Sequence, residues 1–268
     1  RYRRRRNCTV GPRGGRCDRR GHEGLTGVRV PRIYAPNAME TGAQIELSDT
    51  AARHVVQVLR LAPGAALTLF DGHGRAFAAR LESVRPARAY IERALDADPA
   101  PPIAVELLQG VSRGPKMDLV VQKAVELGVA VFTPLIMERS VMRIAPREAE
   151  KKRVHWEAIA ISACEQCGRN DLPDIRTPRL LAEACIGEDD ALNLLLEAEA
   201  TGKLLEQNPP RRVRLLIGPE GGLAPAERTL ALERGFVPLK LGPRVLRTET
   251  AAVAALAVIQ YRWGDLAS

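Results

Sequence analysis

Residues 213–222 read VRLLIGPEGG, a short apolar strand that runs directly into a loop with three glycines. Glycine permits positive φ angles and a close approach of the backbone to a ligand. Pro225 then begins a helix that Gly235 ends, and residues 237–241 form a further apolar strand. This alternation of strand and helix predicts an α/β layer with a largely parallel sheet, in which ligands bind at the carboxyl ends of the strands.

A second loop, residues 241–251, reads LGPRVLRTETA and also lies between a predicted strand and a predicted helix. Thr248 is expected to be the N-cap of that helix, where its side chain would accept a backbone N–H. Arg247 and Glu249 flank it, just before a strongly apolar segment. Each loop also has a simpler interpretation, the first as a tight turn and the second as a capped helix with a surface salt bridge. The first loop matches neither the dinucleotide fingerprint nor the P-loop, so a dinucleotide or triphosphate site is disfavoured.

The same alternation extends over residues 103–267. Further strands are predicted at 103–108, 129–136 and 192–196, and further helices at 117–127, 151–168 and 248–263. The helix that Gly128 ends is expected to bury four apolar residues on one face: Leu119, Val120, Ala124 and Leu127.

The first part of the chain, about residues 30–95, has shorter and more mixed elements. Ser48 is expected to cap a helix that Pro63-Gly64 ends. The apolar face of this helix is predicted to contain Val55, Val58, Leu59 and Ala62. Strands are predicted at 45–47, 66–70, 75–84 and 89–91, with a hairpin turn at Asp71-Gly72-His73-Gly74. Several strands joined by tight turns favour a small β-barrel with one helix, and the Pro-rich residues 96–102 are a candidate linker.

The composition is that of an ordinary globular protein, since 46% of the 268 residues are hydrophobic and 27% are charged. This excludes a mostly disordered, collagen-like or disulfide-scaffold protein. No uncharged apolar stretch reaches about 18 residues, so no membrane span is expected.

The net charge of +8 is concentrated in residues 1–28, which hold nine Arg and two acidic residues. A segment rich in Arg and Gly, without an apolar period, is expected to be disordered. It could bind RNA phosphates through counterion release. The alternative is an extension without function, or a misplaced start site, because the chain does not begin with Met.

The five cysteines are an odd number, and two of them lie in the Arg-rich extension, which argues against a disulfide framework and fits a reducing cytoplasm. Cys164 and Cys167 form a C-x-x-C pair inside a predicted helix. A structural zinc site needs four ligands, and no second pair is nearby, so no metal is expected.

Five segments, in the same order along the chain, resemble those of the bacterial small-subunit (16S) ribosomal RNA uridine-N3 methyltransferases of the SPOUT class. Two of them are the loops IGPEGG at 217–222 and LGPRVLRTETA at 241–251. The others are KMDLVVQKAVELG at 116–128, SACEQCGRN at 162–170, and RHVVQVLR at 53–60 with the nearby Gly64 and Asp71-Gly72. The resemblance covers about residues 30–266, and the first 28 residues have no counterpart in it.

The resemblance implies an α/β fold: a SPOUT-type C-terminal domain with a trefoil knot, and a small N-terminal PUA-like β-barrel domain. The implied domains are an RNA-binding barrel at 29–98 and the methyltransferase domain at 103–268, while the composition predicts a disordered extension at 1–28. The implied cofactor is S-adenosylmethionine, bent inside the knot and held largely by backbone groups of the two loops. The expected cofactor-binding residues are Leu196, Ile217, Gly218, Pro219, Glu220, Gly221, Gly222, Leu241, Gly242, Leu246 and Thr250.

Methylation at N3 requires the loss of the N3 proton, and a cation near O2 or O4 would stabilise the resulting anion. Arg247 is the first candidate for that cation. Glu249 could take the proton or orient Arg247, and Thr248 completes the predicted catalytic set. Which carboxylate is the base is left open.

The predicted RNA-binding residues are Glu165, Arg169, Arg53, Arg60 and Lys123. Glu165 and Arg169 are spaced i, i+4, so they should share a helix face, where they could contact RNA bound to the other subunit of a homodimer. The alternative is a structural pair worth about 0.3–0.5 kcal/mol. The implied partner is the 16S ribosomal RNA of the small ribosomal subunit, in the cytoplasm.

Two other functions stay open. One is a related SPOUT enzyme that acts on another RNA position, such as a 2′-hydroxyl. The other is a non-catalytic RNA-binding protein that uses the Arg-rich extension and the barrel. The barrel and the EQCGR segment favour N3 methylation over the first, and the two intact loops speak against the second.

Overall fold

The structure is a computed structural model, and it describes residues 30–37, 39–97, 99–185, 190–200 and 210–267. The Arg-rich extension predicted at 1–28 lies outside the described residues. Two sheets organise the rest, and both consist of strands that the sequence largely predicts.

The first sheet is built from short strands around one small helix. Its elements are β1 Arg32–Tyr34, β2 Gln44–Glu46, α1 Asp49–Arg53 with a π-helical turn His54–Val58, β3 Ala66–Phe70, β4 Ala76–Val84 and β5 Ala87–Ala94. The strand order is β1-β3-β4-β5-β2, and β1 pairs with β3 in parallel while the other pairs are antiparallel. In the described ranges, β1 and β2 lie at the two ends of this strand order, and the short strands around one helix agree with the small β domain predicted from the sequence.

The helical turn of this sheet is shorter than predicted. The Ser48 side chain does accept the Ala51 N–H and caps α1, as expected. The helical segment, however, ends at Val58 instead of Pro63-Gly64, and Val58 itself is 67% exposed. The apolar spacing continues past the point where the backbone leaves the helix, at Arg60 with its φ of 53°.

The second sheet is parallel throughout its described pairs. Its elements are β6 Ala104–Gly110, α2 Gly114–Glu126, β7 Val131–Ile136, α3 Pro146–Cys167, β8 Asp174–Ile175, β9 Arg179–Leu180, α4 Leu181–Ala184, β10 Ala191–Leu196, β11 Arg212–Ile217, α5 Pro225–Glu233, β12 Val237–Leu239 and α6 Thr248–Trp263. The strand order is β12-β10-β11-β6-β7-β8, with β9 also paired to β7. The predicted α/β layer is therefore confirmed, although β1, β8, β9 and α4 were not predicted.

Both faces of the parallel sheet are buried, as a parallel sheet requires. Leu107 and Leu215 pack into a core with Trp156 of α3, whereas their neighbours Leu108 and Leu216 pack into a separate core on the other face. The prediction that Leu119 of α2 is buried is wrong, because its exposed fraction is 41%. In the described parts of the chain, no helix combines the length and the apolarity needed to cross a membrane.

Candidate active site

The two glycine-containing loops line one cleft of about 890 Å³ at the carboxyl ends of β10, β11 and β12. This is the edge at which α/β sheets bind ligands. Most of the predicted catalytic and cofactor-binding residues line it: Leu196, Ile217, Gly218, Pro219, Glu220, Gly222, Leu241, Gly242, Leu246, Arg247 and Thr248. Three predicted residues are not among the lining residues, namely Gly221, Glu249 and Thr250.

The first loop lies very close to the end of β6. A Cβ added at Gly110 would lie 2.4 Å from the nitrogen of Pro219 and 2.8 Å from the carbonyl carbon of Gly218. Real Cβ atoms do not approach backbone so closely, so the absence of a side chain at Gly110 lets the loop pack there. The loop then turns tightly, since the Gly222 N–H donates to the Pro219 carbonyl over 2.9 Å.

Thr248 joins the two loops through its side chain. Its hydroxyl donates to the Gly218 carbonyl over 2.7 Å and accepts the Gln109 side-chain amide over 2.9 Å. The predicted N-cap role is therefore wrong: the N-cap is Arg247, without a side-chain capping bond, and Thr248 is the first residue of α6. Thr248 and Gln109 are both buried, so the loops are fixed by a buried polar network.

Charged side chains surround the cleft. The Lys116 ammonium lies 3.4 Å from an oxygen of Glu220 and 3.8 Å from an oxygen of Glu249. Burial would raise the pKa of Glu220, but its backbone N–H and the Lys116 ammonium outweigh burial and lower it. Arg247 lines the cleft and is exposed, so its guanidinium can reach a ligand.

Several cations of the cleft were not predicted from the sequence: Lys116, Arg139, Arg228, Lys240 and Arg244. Arg228 forms two hydrogen bonds to the carboxylate of Glu197 across the cleft wall. Arg139 follows β7 and donates to the Gly221 carbonyl over 3.4 Å. These cations lie in the cleft loops, or in a loop or first helical turn that follows a strand. For Lys116 and Arg139, the predicted strands that precede them could have indicated a position at the cleft.

Apolar walls and backbone groups fit a cofactor such as S-adenosylmethionine. Leu196, Leu241 and Leu246 are half-buried and line the cleft beside the Gly218 and Gly242 backbone. A cleft of about 300–1,000 Å³ lined mainly by apolar groups with a few polar ones is typical of small-molecule sites. The residues present therefore fit an adenosyl group.

Glu165 and Arg169 do not share a helix face, contrary to the prediction, because α3 ends at Cys167 and Gly168 adopts a φ of 99°. The Arg169 guanidinium turns inward and donates to the carbonyls of Val125 and Val129, both over 2.9 Å. A helix-based spacing rule fails here since the helix stops between the two residues.

Glu165 instead connects the two sheets. One carboxylate oxygen accepts the Tyr34 N–H over 3.1 Å, and the other lies 3.1 Å from the His54 ring nitrogen Nδ1. Burial raises the pKa of Glu165, while Tyr34 and His54 act in the opposite direction. The chain just after α3 adds to this contact, because the Leu172 N–H donates to the Gly72 carbonyl over 2.9 Å.

The other predicted RNA-binding residues lie on the surface. Arg53 and Arg60 are exposed at the end of α1 and after the π-helical turn. Lys123 of α2 forms an ion pair with Glu126 over 2.8 Å. Among the residues that the structure describes around the cleft, none is one of these three cations.

The C-x-x-C pair lies inside α3, as predicted, and Cys164 is buried. Burial raises the pKa of the Cys164 thiol to about 12, so it stays protonated at neutral pH. Among the residues that the structure describes, no group of three or more His, Cys, Asp or Glu side chains could hold a metal ion.

Comparisons with known proteins agree with this arrangement. A family model of the RNA methyltransferase domain matches residues 99–260, and a model of the RNA methyltransferase PUA domain matches residues 47–92. The ribosomal RNA small subunit methyltransferase E of Buchnera aphidicola is 34% identical over 242 residues, which cover 89% of this chain and 98% of that protein. The corresponding Bacillus subtilis protein is 30% identical over 84% of this chain and 92% of its own length.

Two solved structures are similar over nearly their whole length. A methyltransferase of Legionella pneumophila, in complex with bound S-adenosylmethionine, superposes with a TM-score of 0.86 at 42% identity, over 89% of this chain and 100% of that one. A ribosomal RNA small subunit methyltransferase E of Neisseria gonorrhoeae, also bound to S-adenosylmethionine, superposes with a TM-score of 0.82 at 38% identity, over 88% of this chain and 99% of that one.

Proposed function

Because the chain belongs to the ribosomal RNA small subunit methyltransferase E family of RNA methyltransferases, we propose that it methylates N3 of a specific uridine in 16S ribosomal RNA, with S-adenosylmethionine as the methyl donor. One observation carries this proposal. The two loops that resemble the family's motifs meet in one cleft, where Thr248 joins them through the Gly218 carbonyl.

The cofactor, when bound, supplies an electrophilic methyl group on its sulfonium. Leu196, Leu241 and Leu246 would hold its adenosyl group between apolar walls, and backbone groups of Gly218 and Gly242 would recognise the adenine. The chain's own task is then to place the uridine in line with the donor and to remove the N3 proton. The domain at 103–268 is proposed to contain the family's trefoil knot.

Arg247 and Glu249 are proposed to handle the charge that develops on the uridine. The exposed guanidinium of Arg247 would donate to a uracil carbonyl oxygen and stabilise the negative charge that N3 deprotonation creates. Glu249 would accept the N3 proton or orient Arg247, and it lies two residues further along α6. Thr248 supports both by fixing the start of α6 rather than by touching the base.

The RNA itself is proposed to bind across both domains. The segment at 29–98 would act as a PUA-like RNA-binding domain, with Arg53, Arg60 and Lys123 on phosphates. Glu165 would contribute to RNA binding by placing the first sheet against the second, because its carboxylate accepts the Tyr34 N–H. Arg169 would contribute by supporting the end of α2, where it donates to the Val125 carbonyl. Binding that relies on phosphates should weaken strongly with salt.

A homodimer in the cytoplasm completes the proposal. The outer face of α6 carries exposed apolar side chains, with Val258 40% and Tyr261 69% exposed, next to the buried face of the same helix. A helix that is apolar around most of its circumference is usually covered on more than one side. A second copy of the chain is the proposed cover.

A methyl-transfer assay tests the function. Small ribosomal subunits from cells that lack the enzyme are incubated with labelled S-adenosylmethionine, and the nucleosides are separated by mass spectrometry. The protein should form 3-methyluridine, Arg247→Ala should lose this activity, and Arg153→Ala should retain it, because Arg153 lies on α3 outside the cleft. A labelled 2′-O-methyl nucleoside would show that the enzyme methylates the ribose instead of uridine N3. If the protein transferred no methyl group and bound no cofactor, the proposal that it is a methyltransferase would be wrong.

A further inference from the structure

Lys116 connects the two loops of the cleft electrostatically. It lies in the first turn of α2, which begins four residues after the end of β6. Its ammonium lies 3.4 Å from Glu220 of the first loop and 3.8 Å from Glu249, which follows the second loop. One cation therefore contacts a carboxylate from each of the two segments that build the site.

The two carboxylates differ in how they are held. Glu220 is hydrogen-bonded to the Lys116 ammonium. Glu249 is more buried, with only 14% of its side chain exposed, and its oxygen nearest to Lys116 has no hydrogen-bond partner among the described residues. A buried carboxylate oxygen without a hydrogen bond is costly unless a charge compensates it, and Lys116 is the cation within ion-pair distance.

We propose that Lys116 is a positioning residue for the methyl transfer: anchored by Glu220, it holds the carboxylate of Glu249 in place at the start of α6. This inference rests on the proposed function and adds a residue to it. The step it concerns is the proton transfer, in which the N3–H bond breaks, the proton passes to a carboxylate oxygen of Glu249, and the electron pair stays on N3. A base that is misplaced by about 1 Å can lose about 100-fold in rate, so a modest loosening of Glu249 is measurable.

Two other roles would leave different signatures. Lys116 lines the cleft, so it could bind the cofactor directly, and its loss would then weaken cofactor affinity. It could also be a plain structural ion pair, whose loss would alter stability and leave the chemical step unchanged. The positioning role alone makes the effect of Lys116 depend on the presence of the Glu249 carboxylate.

The test is a double-mutant cycle on the full chain with small ribosomal subunits as substrate, at saturating S-adenosylmethionine. Lys116→Met should lower kcat by about tenfold with little change in KM. This is less than the loss of about 100-fold that a misplacement of about 1 Å can cause, because Glu249 should be only loosened. Lys116→Arg should restore most of the activity, because it keeps the charge. Glu249→Gln should lower kcat by about 100-fold or more, as expected for a lost proton acceptor. Adding Lys116→Met to Glu249→Gln should then lower kcat no further.

Arg153→Met is the matched control, because Arg153 also bridges two carboxylates, Glu150 and Glu157, on the exposed side of α3. It should retain the parental kcat. Equal losses from Lys116→Met with and without the Glu249 carboxylate would overturn the inference, as would a calorimetric cofactor affinity that falls as much as kcat/KM, or full activity in Glu249→Gln. If the parent forms no 3-methyluridine, the proposed function itself fails. If the parent forms it and Lys116→Met is equally active, only the positioning role fails.

Discussion

The Thr248 hydroxyl donates to the Gly218 carbonyl over 2.7 Å, and this single bond connects the start of α6 to the start of the first cleft loop. The same oxygen accepts the Gln109 amide from the end of β6, so three segments that are far apart in the chain meet at one buried atom. The spacing of the two loops, and with it the width of the cleft, depends on this junction.

Removing the hydroxyl without changing the side-chain volume should therefore loosen the cleft. In Thr248→Val, the Gly218 carbonyl and the Gln109 amide each lose a partner in a buried site, at about 1–3 kcal/mol for each unsatisfied group. We expect the free energy of unfolding to fall by about 2–4 kcal/mol and the affinity for S-adenosylmethionine to fall with it. Urea unfolding and titration calorimetry measure the two quantities. Thr248→Ser keeps the hydroxyl and should stay close to the parent, and equal behaviour of the two variants would contradict this account.

Gly110 predicts a second effect on the same loop. An added Cβ would collide with the backbone of Pro219 and Gly218, which cannot rotate away as a flexible side chain could. Gly110→Ala should cost about 1–3 kcal/mol of stability through overpacking, and it should displace the loop enough to weaken cofactor binding. The control is Gly114→Ala, four residues later, where a Cβ would meet nothing within 4 Å. Gly114 begins α2, so alanine there should leave stability unchanged or slightly raised. Thermal unfolding measures the stability of both variants, and titration calorimetry measures their affinity for S-adenosylmethionine. Similar cofactor affinities for the two variants would show that the loop tolerates a shift.

The sequence allowed the elements of the parallel sheet to be predicted because their signals are local. The run Val213–Ile217 is apolar except for Arg214, since both faces of the sheet are covered, and a glycine-rich turn follows it directly. Arg214 is itself buried, where it pairs with Glu106 over 2.8 Å. The strands β8 and β9 could not be predicted in the same way, because each has only two residues and pairs with an edge of β7.

The roles of individual site residues depended on distant partners and were harder to predict. Thr248 has the residue type and position of an N-cap, yet its hydroxyl finds an acceptor in a loop that precedes it by 30 residues. Lys116 lies in a segment that resembles the family, but its two carboxylates come from the first cleft loop and from the start of α6, both near the other end of the chain. For Arg169 a local signal was present, since Gly168 ends the helix and removes the i, i+4 relationship with Glu165.

Arg169 should behave as a structural residue in a stability measurement. Its guanidinium donates to the Val125 and Val129 carbonyls at the end of α2 and pairs with Asp171, with only 15% of the side chain exposed. Arg169→Ala should lower the free energy of unfolding by about 1.5–3 kcal/mol, the usual range for hydrogen bonds to a charged group. Arg169→Lys should recover part of this, because one ammonium cannot reproduce the planar fork. Unchanged urea midpoints, with a raised KM for ribosomal subunits, would instead assign Arg169 to direct RNA contact.

Asp71 predicts a pH dependence of stability. Its carboxylate is buried in the turn between β3 and β4, where it accepts the N–H groups of His73 and Arg75 and the Arg75 side chain over 2.7–3.1 Å. Burial would raise the pKa of Asp71, but these donors outweigh burial and lower it.

A carboxyl group whose pKa is lower in the folded state stabilises the fold above the ordinary aspartate range, and this contribution is lost as the pH falls through the folded-state pKa. At pH 7, the free energy of unfolding of Asp71→Asn should therefore be about 1.5–3 kcal/mol lower than that of the parent, which is the usual range for hydrogen bonds to a charged group. The difference should narrow as the pH falls below about 4, where the parent's carboxyl also takes up a proton. Urea unfolding of both proteins at pH 7, 5 and 3 measures this difference in the free energy of unfolding. Asp96→Asn is the control, because Asp96 is exposed in the segment of the chain between β5 and β6. A constant difference at all three values would mean that the shape of the turn, and not the charge of Asp71, stabilises the hairpin.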